Sequence, residues 1–267
     1  MAALASGRNF STLSESGINL TICNTINTTV NPEYPALPFA LGEETIGLDG
    51  SVWVYASPQG LYAIGTVGYL DVSLNFYAIT VANALTTYGQ RVGVMSQVAS
   101  FTAVPTSTNY DGVWVQVAGL CPAITIAAST SANAQLYPLA ADSARTITAM
   151  SGPTASGTAG NAYVITATSA PSYPVGTIIT LASAVPATLN TTYIVVAPAT
   201  TTGSYNVTSI TATGTWASAG TATGAIQGVL ASSGTTAING IVITTANSTI
   251  AINEPGVLNF PEVDLTT

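Results

Sequence analysis

Short runs of valine, isoleucine, tyrosine and tryptophan recur along this chain, each closed by glycine, proline, asparagine or aspartate. The clearest are Ser51–Ser57, Tyr77–Ala82, Arg91–Met95, Val113–Leu120, Ile124–Ala128 and Gly240–Thr245. β-Branched and aromatic residues fit a pleated surface and the punctuating residues favour turns, so each run predicts a strand. Within Val113–Val117 the valines alternate with Trp114 and Gln116, which places three valines on one face of a sheet. Asp49–Gly50 and Asp111–Gly112 supply turns, because glycine accepts positive φ and aspartate caps its own backbone. The best helical window, Ala132–Arg145, is interrupted by Pro138. The pattern therefore predicts an all-β chain.

The runs divide the chain into four parts. Residues 1–45 hold four acids and the three-proline stretch Asn31–Phe39, which reads as an extended N-terminal arm or an irregular covering layer. Residues 46–149 together with 226–252 read as a host β-barrel or sandwich domain. Residues 150–225 read as a small inserted β domain, a sandwich (Ig-like) or a small barrel, with strands at Tyr163–Thr168, Thr177–Ala182, Thr191–Val196 and Tyr205–Thr213. Its flanks, SGPTASGTAGN and ASAGTATG, read as flexible linkers of the kind a tolerated insertion needs. Residues 253–267 read as a C-terminal tail.

DGSVWVYA at Asp49–Ala56 is echoed by DGVWVQVA at Asp111–Ala118. Two readings are open: a turn-then-strand unit used twice, or two paired strands of one core with Trp53 and Trp114 as its large anchors.

Charge changes the picture from fold to function. Only 5% of residues are charged, against about 25% in an ordinary soluble domain. There are three arginines, eleven acids, no lysine and no histidine, for a net charge of −8. From Thr146 to Asn253 no Asp, Glu, Lys or Arg occurs. Three scattered arginines cannot neutralise a phosphate backbone, so nucleic acid is excluded as a partner. Histidine triads, histidine zinc sites and catalytic or P-loop lysines are excluded by composition. An apolar content of 48% and a mean hydropathy of +0.47 argue for an ordered chain rather than a disordered one. The N-terminal residues lack a continuous apolar run, so a secretory leader is not expected, and no run is long enough to predict a membrane span. Cys23 and Cys121 either pair or stay reduced and buried, the second being usual for a protein made in the cytosol.

The run YDGVWVQVAGLCPAITIAAS (Tyr110–Ser129), with VGVMSQVAS before it and DGSVWVYA upstream, resembles the core of tailed-bacteriophage head decoration, or capsid cement, proteins. Gln135–Ala149 and Thr235–Ser248 look like that family's final hairpin, split by the insert. The insert resembles small β repeats of phage structural proteins, at Val175–Leu181, Asn190–Tyr193 and Tyr205–Thr211. The resemblance implies a non-enzymatic virion protein on the outer capsid surface, made in the host cytoplasm, with neither cofactor nor membrane. Its partner would be the major capsid protein, and the protein would be a homo-oligomer, a trimer in preference to a dimer. The alternative is a tail- or fibre-associated adhesin that binds host carbohydrate through the inserted domain.

The candidate chemistry is sparse. Glu43–Glu44 reads as a solvated turn, and Asp49 and Asp111 as turn residues. An acid-pair hydrolase would draw on Asp71, Asp111 or Asp142, which no motif frames. Arg91 and Arg145 each read as the partner of an acid or a carbonyl. The candidate partner contacts are aromatic: Phe10, Tyr34 and Phe39 on the arm and Phe260 on the tail, against the alternative that they pack on their own domain.

Overall fold

The computed structural model describes residues 14–20, 37–59, 62, 64–95, 112–127, 130–139, 145–155, 161–168, 178–198, 203–209, 212–225, 228–245 and 252–264, and the fold is nearly all β. β1 (Glu44–Ile46), β2 (Val52–Pro58), β3 (Thr66–Leu70) and β4 (Asn75–Ala78) precede one turn of helix, α1 (Val81–Ala84). β5 (Val92–Met95), the fourteen-residue β6 (Val113–Ile126) and β7 (Tyr137–Pro138) follow. Next come β8 (Arg145–Ala155), β9 (Asn161–Ala167), β10 (Ile178–Ala182), β11 (Thr192–Pro198), β12 (Ser204–Ser209) and β13 (Thr221–Ala225). β14 (Leu230–Ala231), β15 (Ile238–Ile243) and β16 (Ile252–Val263) complete the chain.

Five strands of the first sheet close on themselves. β2 pairs with β4, β4 with β3, β3 with β5, β5 with β6, and β6 back with β2. The alternating valines of β6 explain the closure: Val113, Val115 and Val117 meet Val54, Ala56, Leu70, Phe76, Ala78 and Met95 in one buried cluster. Gly68 and Gly93 stand opposite each other in register, and a Cβ on either would overlap Phe76 or Val115. The ring is small enough that these two positions must stay bare.

β6 continues beyond the ring into a second core. Gly119 makes the passage at φ +93, with its Cα edge so close to Ser51 that a Cβ would lie 2.7 Å from the Ser51 Cα. Past it, Cys121, Ile124 and Ile126 pack with Val67, Val92 and Val94 of β3 and β5, and with Leu136, Leu230, Ile238, Ile241, Ile243, Leu258 and Val263. β16 lies between β6 and β15, antiparallel to both. Its register with β6 steps between Glu254 opposite Ile124 and Gly256 opposite Cys121. Pro255 and Pro122 fall in that step, where a missing N–H costs no ladder bond.

The third core belongs to a closed six-stranded barrel in the order β10-β11-β12-β9-β8-β13. Ile147, Tyr163, Ile165, Ile179, Leu181, Tyr193, Val195, Tyr205 and Val207 fill it. Its strands run contiguously from Arg145 to Ala225, and strands of the large sheet both precede and follow them.

Several expectations need correction. Parts of the segments expected as linkers are strand: Ser151–Ala155 belongs to β8 and Thr221–Gly224 to β13, while residues 156–160 lie outside the described residues. Small residues suit them because both strands are paired within the barrel. The expected tail is β16 as far as Val263, a strand bonded on both edges. Among the described residues of Gln135–Ala149 and Thr235–Ser248 one bridge joins the two, Leu136 to Ile238, and β15 takes β16 as its partner instead of a hairpin mate. Val113–Leu120 and Ile124–Ala128 are one strand, β6, through Ile126. Tyr77–Ala82 ends in α1 because Thr80 and Asn83 cap each other's backbone N–H groups.

The two Asp-Gly echoes are neighbouring strands. Tyr55 stands opposite Trp114 and Trp53 opposite Gln116. Trp53 and Trp114 share one cluster with Leu20, Tyr55, Ile18, Leu37 and Phe39. The described part of the arm thus covers one face of the β2–β6 pair, held by a bridge from Ser14 to Gly47 and a bond from the Glu15 N–H to the Ile46 carbonyl.

Candidate functional site

The acids serve the backbone. The Asp49 carboxylate accepts from the Ser51 N–H at 3.1 Å and the Ser51 hydroxyl at 2.5 Å, and that hydroxyl accepts the Trp53 indole N–H at 2.7 Å. Gly50 at φ +80 completes the expected turn. Asp71 accepts from the Ser73 N–H and from both the N–H and side-chain amide of Asn75. Partial burial pushes its pKa up, but those three bonds together outweigh it and hold the carboxyl below the usual aspartate range. Glu43 accepts from the Ala40 N–H, while Glu44 pairs with Arg91 at 2.5 Å. Asp111 and Asp142 lie outside the described residues, as does Cys23; Cys121 is buried, its thiol directed at the Ala123 carbonyl. Among the described residues no three His, Cys, Asp or Glu side chains converge as metal ligands.

Of the four candidate contacts, two can be placed. Phe10 and Tyr34 lie outside the described residues. Phe39 packs on its own domain, its ring 5.3 Å from Tyr55 and 5.2 Å from Trp114, centroid to centroid. Phe260 points outward and is 54% exposed. The register of β16 on β15 runs from Leu258 opposite Ile241 to Glu262 opposite Asn239, so Asn259, Phe260 and Pro261 bulge against Gly240 alone. Gly240 at φ +77 admits the bulge, since a Cβ there would come 2.7 Å from the Asn259 carbonyl oxygen. Phe260 itself is left-handed at φ +43, a conformation bulky residues avoid. The Arg91 guanidinium carbon sits 5.7 Å from its ring centroid and also pairs with Glu44. An exposed aromatic ring, a cation and two acids, Glu44 and Glu262, are thus gathered where Arg91, the residue before β5, bridges to Glu262 of β16.

A second feature, which sequence reasoning missed, lies at one end of the barrel. There the 183–191 and 212–220 segments are bonded to each other. Val185 exchanges backbone bonds with Ala217 and Ser218, and the Thr188 hydroxyl donates to the Thr213 carbonyl. Two buried phenols tie both segments to the core: Tyr163 donates to Gly214 and Tyr193 to Leu189, their rings meeting edge to face at 5.6 Å. Burial raises both pKa values, and for Tyr193 the neighbouring Tyr163 adds to the effect. Trp216 sits in this frame, packed against the barrel core and half-buried, its indole N–H donating to the Ala219 carbonyl at 2.8 Å. The signal in the sequence was a single tryptophan within a stretch free of charge.

Comparison with protein-family models, characterised proteins and solved structures finds no match. Among the described residues no helix is long and apolar enough to cross a membrane.

Proposed function

We propose that this is a virion structural protein, a capsid decoration or cement protein that docks on the major capsid protein and stabilises an assembled phage head shell as a homo-oligomer, a trimer in preference to a dimer. The observation that carries the reading is Phe260, a strained and exposed ring held out by a dedicated bulge beside Arg91 and Glu44. Backbone strain of this kind persists only where surrounding structure enforces it, and exposed aromatics supply the anchors of protein interfaces. The resemblance of Tyr110–Ser129 to decoration proteins names the partner. The scarcity of charge supports the setting: backbone ladders and apolar burial hold their strength as salt varies, whereas surface ion pairs are screened. In this reading the barrel between Arg145 and Ala225 is a separable insert that projects from a host domain gripping the shell.

The test is the heat and salt resistance of purified heads assembled with and without the protein, together with its position by immuno-electron microscopy. Equal resistance of the two preparations, or a location on the tail, would sink the reading. Heads assembled with Phe260→Ala should carry fewer copies than those with the parent protein.

A further inference from the structure

Trp216 differs in kind from the other two tryptophans. Trp53 and Trp114 are 1% and 3% exposed, whereas Trp216 keeps part of its ring at the surface. The ring is already immobilised, by the core beneath it and by the bond to Ala219. The segments around it are equally fixed. The Asn161 amide donates to Ala212, and Asn190 both accepts from and donates to the backbone of Ala184. Ser183 and Ala219, neither of them glycine, are held left-handed at φ +58 and +59. Two left-handed non-glycine residues at one end of a barrel, beside one half-buried aromatic ring held in place, make the arrangement of a preorganised binding surface.

The chemistry around the ring limits the ligand. No Asp, Glu, Lys or Arg occurs between Thr146 and Asn253, and the one arginine of the barrel strands, Arg145, stands opposite Ala222 on β13, so the 183–191 and 212–220 segments themselves offer no ionised side chain to a charged group. The neighbours are hydroxyls and carbonyls: Thr213, Thr215 and Ser218 on the same segment, all exposed, and Thr188 across from them. The part of the indole left at the surface, with neutral donors and acceptors on the segments beside it, matches a molecule with one face of C–H groups and a rim of hydroxyls. We infer that this end of the barrel is a binding site for neutral carbohydrate, with Trp216 as the stacking platform. The site is independent of the Phe260 surface, so the inference stands or falls apart from shell docking.

The experiment uses the full chain and its own fluorescence. Because the other two tryptophans are buried, the fraction quenched by acrylamide reports Trp216. Neutral oligosaccharides of glucose, galactose and N-acetylglucosamine are titrated in, beside sialylated and sulfated counterparts. At least one neutral series should protect that fraction saturably. Trp216→Leu, which keeps an apolar group against the core, should weaken binding of that sugar by about tenfold or more in calorimetry, and Trp216→Phe by less. Failure of every neutral sugar to protect, binding confined to the anionic ones, or undiminished binding by a folded Trp216→Leu variant would each overturn the assignment. Should the leucine variant fail to fold, the quenching result on the parent protein decides alone.

Discussion

Gly112 lies against the phenol of Tyr55 so closely that a Cβ on the glycine would occupy the ring. The Asp-Gly pair at this position reads in sequence as a turn, yet the glycine is needed for space, because its φ is not left-handed. Gly112→Ala should therefore destabilise by overpacking, about 1–3 kcal/mol. Gly50→Ala, left-handed but with open space around it, should cost about 1–2 kcal/mol from backbone strain alone. Urea midpoints separate the two causes. Tyr55→Phe removes the nearest clashing atom, so it should lessen the cost at Gly112 and leave the cost at Gly50 unchanged.

At Phe260 the ordinary ranking of residues should invert. Glycine inside a strand is usually worse than alanine by roughly 0.5–1 kcal/mol. Here the backbone is left-handed, which costs an L-residue about 1–2 kcal/mol. Phe260→Gly should thus be more stable than Phe260→Ala, by on the order of 1 kcal/mol after the flexibility of glycine is set against relief of strain. Both variants lose the contact with Arg91 equally. Thermal melts of the pair test this, and an alanine variant as stable as the glycine one would remove the strain argument.

The contrast between these glycines and Phe260 shows what was legible in the sequence. Alternation in Val113–Val117 and the repeated Val-Trp-Val runs point to buried strands, because a period of two has few other causes. β16 escapes notice because its sequence, INEPGVLNFPEV, carries two acids and two prolines. Pro255 sits in a register step and Pro261 ends the Phe260 bulge, and neither bulge has a local signature. Two of the barrel's strands escape for a related reason: Thr, Ser, Gly and Ala read as linker, yet Ser151–Ala155 finds its partner in β9 and Thr221–Gly224 in β10. Phe39 and Phe260 look alike as isolated aromatics. Tertiary packing turns one onto Tyr55 and Trp114 and holds the other outward.

Two carboxylates should oppose each other in the pH dependence of stability. Hydrogen bonds hold the Asp71 pKa below its unfolded value, so its contribution is present above the ordinary aspartate range and is lost as pH falls through the lower folded value. Burial raises the Glu254 pKa, so ionisation opposes folding, and stability is lost as pH rises from the ordinary glutamate value through the higher folded one. Asp71→Asn should flatten the acid limb of the stability curve. Glu254→Gln should remove the loss on the rising side and leave the acid limb intact. Denaturant titrations at successive pH values check both, and the opposite assignment of limbs would refute the reading.

Added salt should stabilise the protein slightly. The ion pair of Arg91 with Glu44 has side chains 31% and 53% exposed and is worth about 0–1 kcal/mol. Screening that pair costs less than screening the self-repulsion of a chain with a net charge of −8 relieves. Melting temperature should rise or hold steady with sodium chloride, and Glu44→Gln should lower stability by no more than about 1 kcal/mol. A marked fall with salt would mean that ion pairs carry more of this fold than three arginines allow.

The last strand gives the sharpest contrast with a dispensable tail. Leu258 and Val263 are 2% and 0% exposed within the second core, and β16 bonds to β6 on one edge and β15 on the other. Leu258→Ala should cost about 2–5 kcal/mol through lost burial and the cavity left behind. Val257, next to it and facing solvent, should tolerate threonine within about 0.5 kcal/mol. Truncation before Ile252 should do more than either, because it strips backbone partners from β15 along its length and from the Ala118–Ile126 half of β6. Circular dichroism melts of the three variants should rank truncation worst, Leu258→Ala next and Val257→Thr near the parent. A truncated chain that melts like the parent would show that β16 is ornamental, and the second core would then have to close without it.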